Sequence, residues 1–599
     1  MIDRRRLLGS AAAAAGLAAL PTLAFARPAD EDARLDAILS RQFEADLNDA
    51  PQQATSLGLD VGARAGQRAR LNDRSLAHAE AGRSEARAQL AELQTIDPAA
   101  LSNAGRLSYD ILGFQKEVAA AAADFPWHTA SGWRRTPYAV SQINGAYIDV
   151  PSFLDTTHPV KTREDADAFI ERLNAFAGAL DGDTERSVAH AGMGVVAPDF
   201  ILDTTIRQLT ALRDQPGADQ AMVSSLARKM SEAGIEGDHV ERATTLLDGP
   251  VRAALERQIE ALKIQRESAV HDAGIGRLAR GDAYYALNLK AFTTTTSTAA
   301  EIHQLGLDQV AEIQAQADEL LKGEGYSQGS VAERMAALRT EARFVWPNTD
   351  AGRADLLTYL NAEMDRVRAR MPEVFARVPI SEFLVNRVPP AIEAGAPGGY
   401  AQGGSLDGTR PGIYFINLKD TADWPRWTLK TLTYHEAAPG HLFEGALALQ
   451  SADLPLYRKT VGFSAYGEGW GLYAERLADE LGLYDGDPFG RIGYLESFLF
   501  RACRLVVDTG LHSRGWSREQ AIRYMAENVG DPNETEIDRY CSAPGQACSY
   551  KMGEIAITAL REDVKGRPGF DLKRFHSAVL EGGRMPLTVL ERRVRAAFA

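Results

Sequence analysis

Cysteine is nearly missing from this chain, with Cys503, Cys541 and Cys548 as its three thiols in 599 residues. So few exclude a disulfide framework as the source of stability. Cys541 and Cys548 bound the stretch CSAPGQAC; export would allow them to pair, and three buried thiols is the other reading. Positive charge is also short, with 66 Lys and Arg against 81 Asp and Glu and a formal charge of -15. That balance speaks against nucleic acid or an anionic membrane as a partner. Beyond the first 26 residues no apolar run is long enough to span a bilayer. No fixed-period repeat and no low-complexity linker divides the chain. What is present is a globular balance, 45% hydrophobic and 25% charged, enough for a large core. The length suits roughly two to four structural units, or one large helical body.

Residues 1–26 read as an export signal. Arg4, Arg5 and Arg6 form a basic start, Leu7 to Leu20 an apolar stretch, and Ala24-Phe25-Ala26 a small-residue cleavage site. The Arg-Arg-x-Leu-Leu order is that of a twin-arginine signal, with an ordinary secretory signal as the alternative. The expectation is a soluble exported protein, periplasmic in a Gram-negative host, with no stable membrane insertion once the signal is removed.

From about residue 30 to 380 the pattern is helical. EDARLDAILSRQFEADL, DADAFIERLNAFAGAL, AAEIHQLGLDQVAEIQAQADELL and ADLLTYLNAEMDRVRARM each place apolar residues at three- and four-residue steps. Asp, Ser and Thr precede such runs, as helix caps do. The aromatic, Pro- and Gly-bearing stretch 124–154 interrupts the pattern as a loop, either lining a cleft or packed on the surface. Residues 380–420 are Gly- and Pro-rich and end in a β-like run, Gly412 to Leu418. In zinc peptidases a strand beside the metal helix often takes the substrate as an added strand. After 425 the chain is helical again, broken at 530–550. The fold class expected is mainly α, with a helical N-terminal part (27–380) and a second half (381–599) carrying a small sheet or hairpin beside the segment that holds the chemistry.

That segment is TLTYHEAAPGHLFEG, residues 431–445. A His-Glu pair with a second His is how many metallopeptidases hold zinc. His435 and His441 would be ligands, and Glu436 would take a proton from the attacking water and pass it to the leaving amine. The spacing of six is unusual. Six residues of an unbroken helix turn about 600°, leaving the side chains about 120° apart. Pro439 and Gly440 supply the break, since Pro removes a donor and clashes with the carbonyl four residues back while Gly tolerates unusual dihedrals. A bulge or loosened turn there would re-aim His441. The alternative is two ordinary histidines at a helix kink. A third ligand is at hand in SAYGEGWGLYAERLADELGL, a helix with Glu468 near its start and Glu475 two turns along the same face. Glu468 reads as a ligand and Glu475 as the carboxylate that supports one, against the ordinary fate of two solvated acids.

The motifs HEAAPGH, EGWGLYAE and RYCSAPGQACSYKMGE, in that order, with GSLDGTRPGIYFINL before them and DTGLHSRGWSREQA between, resemble those of a large bacterial domain-of-unknown-function family. Its members resemble zinc metallopeptidases of the HExxPGH type, gluzincin-like and distantly similar to angiotensin-converting-enzyme-like and thermostable carboxypeptidases. The resemblance spans nearly all of the chain after residue 26 and is most specific from about 400 to 555. It implies a helical body split by a deep channel, one Zn²⁺ per chain held by His435, His441 and Glu468, Glu436 as the base, and oligopeptide substrates. Glu444 departs from the uncharged residue expected at its position.

Other roles follow from need. An oxyanion asks for a donor, and Tyr550, Tyr540 and His512 are candidates. A peptide's C-terminal carboxylate asks for a cation; Arg539, Arg410, Arg504 and Lys551 are candidates, with Arg539 first because it adjoins Tyr540. Asp508 is a candidate to orient a His or Arg. Three functions stay open: a zinc peptidase, exo- or endo-acting; a catalytically silent peptide-binding protein on the same fold; and a zinc hydrolase of non-peptide amides or esters. Mixed His and carboxylate ligands suit zinc best, manganese or cobalt less well.

Overall fold

The helical pattern of the first half becomes helices at Pro28–Asp49, Arg163–Gly192, Ala299–Gly323 and Asp350–Val374 in a computed structural model of the chain. The structure describes residues 28–599, apart from 132–133, 381, 391–392, 394–397 and 407–409. The export signal read at residues 1–26 lies outside the described residues. Caps fix the helix starts. Thr162 accepts from the Asp165 N–H while the Asp165 carboxylate accepts from the Thr162 N–H, and Thr298 with Glu301 repeats the arrangement. Each such box satisfies two donors that a helix end leaves bare.

Stretch 124–154 is not a plain loop. It folds into a short antiparallel hairpin, Thr129–Ser131 with Arg134–Thr136, and then a helix, Ala146–Thr156. The apolar faces of all these elements merge into one core that runs from Leu35 to Phe598. The molecule is mainly helical, as expected. Among the described residues no helix is long and apolar enough to cross a membrane.

The β-like run forms a strand at Gly412–Ile416. It is the central strand of a three-stranded sheet, parallel to Phe383–Arg387 and antiparallel to Gly399–Gln402. Alternation decides its faces, so Tyr414 and Ile416 are buried and Phe415 stacks on Tyr400. Both of its edges are taken, and the expectation that this strand would receive a substrate needs correcting. The edge strand nearest the His435 and His441 helices is Gly399–Gln402, paired on one side only among the described strands. Five of the helices that follow matter here: Arg426–Glu436, His441–Gln450, Ser464–Glu480, Pro488–Ser513 and Ser549–Lys565. The first packs along Pro488–Ser513 and the third along Ser549–Lys565, which brings the motifs together.

Candidate metal centre

The first helix of the motif ends at Glu436 and a second begins at His441. The break is complete, where a bulge within one helix was expected. The Ala438–Pro439 peptide is cis. Gly440 is required here, because a Cβ at this position would lie 1.8 Å from the His435 carbonyl oxygen. The Pro439 carbonyl accepts from the Trp470 indole N–H at 2.8 Å, tying the break to the Ser464–Glu480 helix. With the axis redirected, His441 swings back to His435, their ring centroids 4.7 Å apart and nearly perpendicular.

Glu468 reaches both. Its Oε2 lies 3.3 Å from His441 Nε2 and 3.6 Å from His435 Nε2. One ligand atom from each of the three residues falls within 4.8 Å of the others. Two atoms each about 2.0–2.1 Å from a tetrahedral zinc stand about 3.4 Å apart, so the spacing suits that ion. Behind His435, its Nδ1 donates to Glu475 Oε1 at 2.8 Å, the support a metal-binding imidazole needs to present its other nitrogen. Gly471 clears space for that imidazole: a Cβ there would meet the ring at 2.6 Å. Burial opposes a charge on His435, but the Glu468 and Glu475 carboxylates outweigh it and push its pKa up to about 9. Burial likewise opposes the Glu468 charge, and the bonds from His435 and His441 hold it well below the usual carboxylate range. Two imidazoles and a carboxylate so tightly coupled are a donor set for a cation.

Glu436 adjoins the cluster, buried on the face toward the sheet. Its charge adds to burial in pushing the Tyr414 phenol well above its ordinary value, and the Tyr414 hydroxyl has no hydrogen-bond partner. Tyr550 is half-buried, its pKa raised by burial and then by the charge of Glu468. Beneath its ring lies the Arg504 guanidinium at 4.4 Å, with Phe500 at the same distance on another side. Arg504 and Arg539 share Glu536, and Arg504 Nε also donates to the Tyr540 hydroxyl. Arg504 and Tyr540 are therefore a buried bed for Tyr550, not groups open to a substrate.

Four other residues stand elsewhere than expected. Lys551 is sealed in an ion pair with Glu554 at 2.8 Å, so it has no charge to offer a substrate. His512 accepts from the Ile275 N–H and donates to the Tyr540 carbonyl, while Asp508 accepts from the Tyr285 hydroxyl and the Gly545 N–H. Both hold the turn before Tyr550 in place. Arg410 stays in the connection into the central strand, donating to the Gly403 carbonyl at 3.4 Å. All three cysteines are free and buried.

Sequence reasoning gave Glu444 no role. In the fold its buried carboxylate takes a bidentate grip on Arg584, 2.7 to 3.0 Å, whose charge is felt by Glu468. Nothing in the sequence signals a pair 140 residues apart. Tyr414 was legible in principle, as an inward position of an alternating strand.

The model of a bacterial protein family of unknown function, DUF885, matches residues 51–594. No curated protein matches. A crystal structure described as that of a "putative lipoprotein" from Colwellia psychrerythraea is 33% identical, with TM-score 0.90 over 94% of this chain and 99% of that one. A second, described as a "putative lipoprotein of unknown function" from Shewanella oneidensis, is 16% identical, with TM-score 0.68 over 95% of this chain and 99% of that one, and shares the fold.

Proposed function

The chain belongs to the bacterial family of unknown function DUF885, and from its site we propose that it is an exported zinc-dependent metallopeptidase acting on short peptides. The observation that carries this reading is the convergence of His435, His441 and Glu468 at zinc-like spacing, with Glu475 bonded behind His435 and Glu436 beside it. Zinc, when bound, supplies a Lewis acid that polarises a carbonyl and lowers the pKa of water.

The chain's own residues do the rest. The Glu436 carboxylate takes the proton of the attacking water and returns it to the leaving amine. The Tyr550 hydroxyl, close enough to sense Glu468, donates to the oxyanion. The edge strand Gly399–Gln402 pairs with the substrate backbone. Glu475 keeps the His435 ring in the tautomer that leaves Nε2 bare. Arg584, paired with Glu444 and within electrostatic reach of Glu468, and Arg539, paired with Glu536, are the cations assigned to a peptide's C-terminal carboxylate. A cluster whose ligands are 2%, 18% and 23% exposed at the side chain favours slender substrates over folded ones. Export fits the basic-apolar start of the sequence and the 33%-identical structure described as a "putative lipoprotein".

The experiment is metal content and peptide turnover on residues 27–599, alongside His435→Ala and Glu436→Gln. The expected result is about one zinc in the wild type and in Glu436→Gln, none in His435→Ala, and a fall in turnover of about 10²–10⁴ for Glu436→Gln. Folded wild type that is metal-free, or that holds zinc yet cleaves nothing in a diverse peptide library, would sink the reading.

A further inference from the structure

Gln546 opens a short 3₁₀ turn, Gln546–Cys548, that runs directly into the Ser549–Lys565 helix. Its side chain is buried. Tyr550 follows four residues later, about one turn along the same side. The neighbours of Gln546 fix which way its amide points. Arg539, anchored on Glu536 through Nε and Nη2, donates from Nη1 to Gln546 Oε1 at 2.6 Å. A guanidinium donates and never accepts, so the amide oxygen must face it and the two N–H bonds of Nε2 point away. One of them reaches Ser464 Oγ at 3.5 Å. Ser464 Oγ also meets Ser549 Oγ at 2.7 Å, and Ser549 donates to the Gln546 backbone carbonyl at 2.7 Å. This polar tie joins the starts of the Ser464–Glu480 and Ser549–Lys565 helices. Glu468 stands one turn beyond Ser464, and Tyr550 adjoins Ser549, so the tie sets the phenol beside the carboxylate that senses it. Burial and the Glu468 charge raise the Tyr550 phenol, and a bond from Gln546 opposes that rise, as a donor to the phenol oxygen does.

We propose that Gln546 is a positioning residue of the reaction: its locked amide donates to the Tyr550 oxygen and so leaves the phenol proton to point at the oxyanion. This rests on the peptidase reading and adds to it the residue that aims its oxyanion donor. Gln546 itself meets no substrate and acts only through Tyr550. A phenol carries one proton. An acceptor at position 546 would take that proton, whereas a donor there leaves it free for the oxyanion. A glutamate at 546 would match Arg539 at least as well, as a charge-assisted pair. What the amide offers beyond a carboxylate is therefore its N–H, and Arg539 is the group that turns this N–H toward Tyr550.

The test is steady-state turnover of a peptide that the zinc-loaded wild type cleaves, with zinc content and circular dichroism checked for every variant. Gln546→Glu keeps the acceptor for Arg539 and replaces the donor toward Tyr550 by an acceptor that captures its proton. Its kcat should fall about 10²-fold, the cost of one oxyanion donor, with KM unchanged. Tyr550→Phe should fall by about the same factor. The double variant Gln546→Glu/Tyr550→Phe should be no slower than Tyr550→Phe alone, because both changes remove the same bond. Gln546→Ala frees the hydroxyl without capturing its proton and should lose about tenfold in kcat, one hydrogen bond's worth. If Gln546→Glu loses zinc or its fold, the same cycle is run with Gln546→Ala. Losses that multiply in the double variant mark a purely structural tie and overturn the proposal. So does wild-type kcat in Gln546→Glu or in Tyr550→Phe, or a loss confined to KM. Wild type that holds zinc and cleaves nothing fails the peptidase reading and this proposal with it, whereas any of the other negative results, read on an active wild type, fails the positioning role alone.

Discussion

Glu475 and His435 show how much of the centre depends on a single contact. The 2.8 Å bond from Nδ1 to Oε1 orients the ring. A glutamine in its place keeps the shape and an acceptor while removing the charge. Glu475→Gln should bind zinc about 10–100-fold more weakly with the fold intact, as read by competition with a coloured chelator; unchanged affinity would mean that the ring is held by packing against Gly471 alone. The arginines teach a different lesson at this scale. Arg504 and Arg539 sit in the right motif, but both pair with Glu536; their pull on Tyr550 is electrostatic, and Arg504 lies over its ring. Lys551 has a buried partner three residues on, at Glu554, which removes it from the list of groups that meet a substrate.

Among the elements, the helix break is the feature on which the site turns. An intact helix across residues 435–441 would point the two imidazoles apart. Ending one helix at Glu436 and starting another at His441 turns both toward Glu468. Gly440 permits it by letting two backbones approach where a methyl group cannot fit. Gly440→Ala should therefore fail in one of two readable ways, as insoluble protein or as folded protein that holds no zinc. A soluble variant with full zinc would show that the backbone can relax at no cost. The motif was legible as residue types and as a break. Its outcome was not, because the direction a chain takes after a Pro-Gly turn is set by what packs against it, here Trp470 on the neighbouring helix.

Across the whole molecule, His271 clasps the two halves. Its Nδ1 meets Asp199 at 2.8 Å and its Nε2 meets Glu519 at 2.9 Å. The bonds to Glu519 and Asp199 raise the His271 pKa above its ordinary 6.5, and the bond from His271 lowers Glu519 from 4.5 to about 2. A raised histidine contributes fully below its unfolded pKa and loses that contribution as pH rises through the folded one. A lowered glutamate contributes above its unfolded pKa and loses it as pH falls through the folded one. The clasp is therefore strongest between about pH 4.5 and 6.5. Because His271 and Glu519 are 55% and 46% exposed, water screens them, and the effect stays within about 1 kcal/mol. Removing it by His271→Ala should lower Tm by about 1 °C at pH 5.5 and by less at pH 8.5. A larger loss at pH 8.5 would reverse the sign and refute the assignment.

The sequence by itself determined the helical class, because three- and four-residue apolar steps and their caps are local signals. It also determined the donor types at His435, Glu436, His441 and Glu468, and the pairing of Glu468 with Glu475 on one helix face, which follows from the helical period. The tertiary structure alone decided the rest. Which strand has a free edge depends on the pairing order, and that placed Gly412–Ile416 in the middle. Which cations are free depends on partners far along the chain, as with Arg584 and Glu444. Periodicity acts between neighbours in the chain, whereas burial, charge balance and cavity shape arise between residues that only folding brings together.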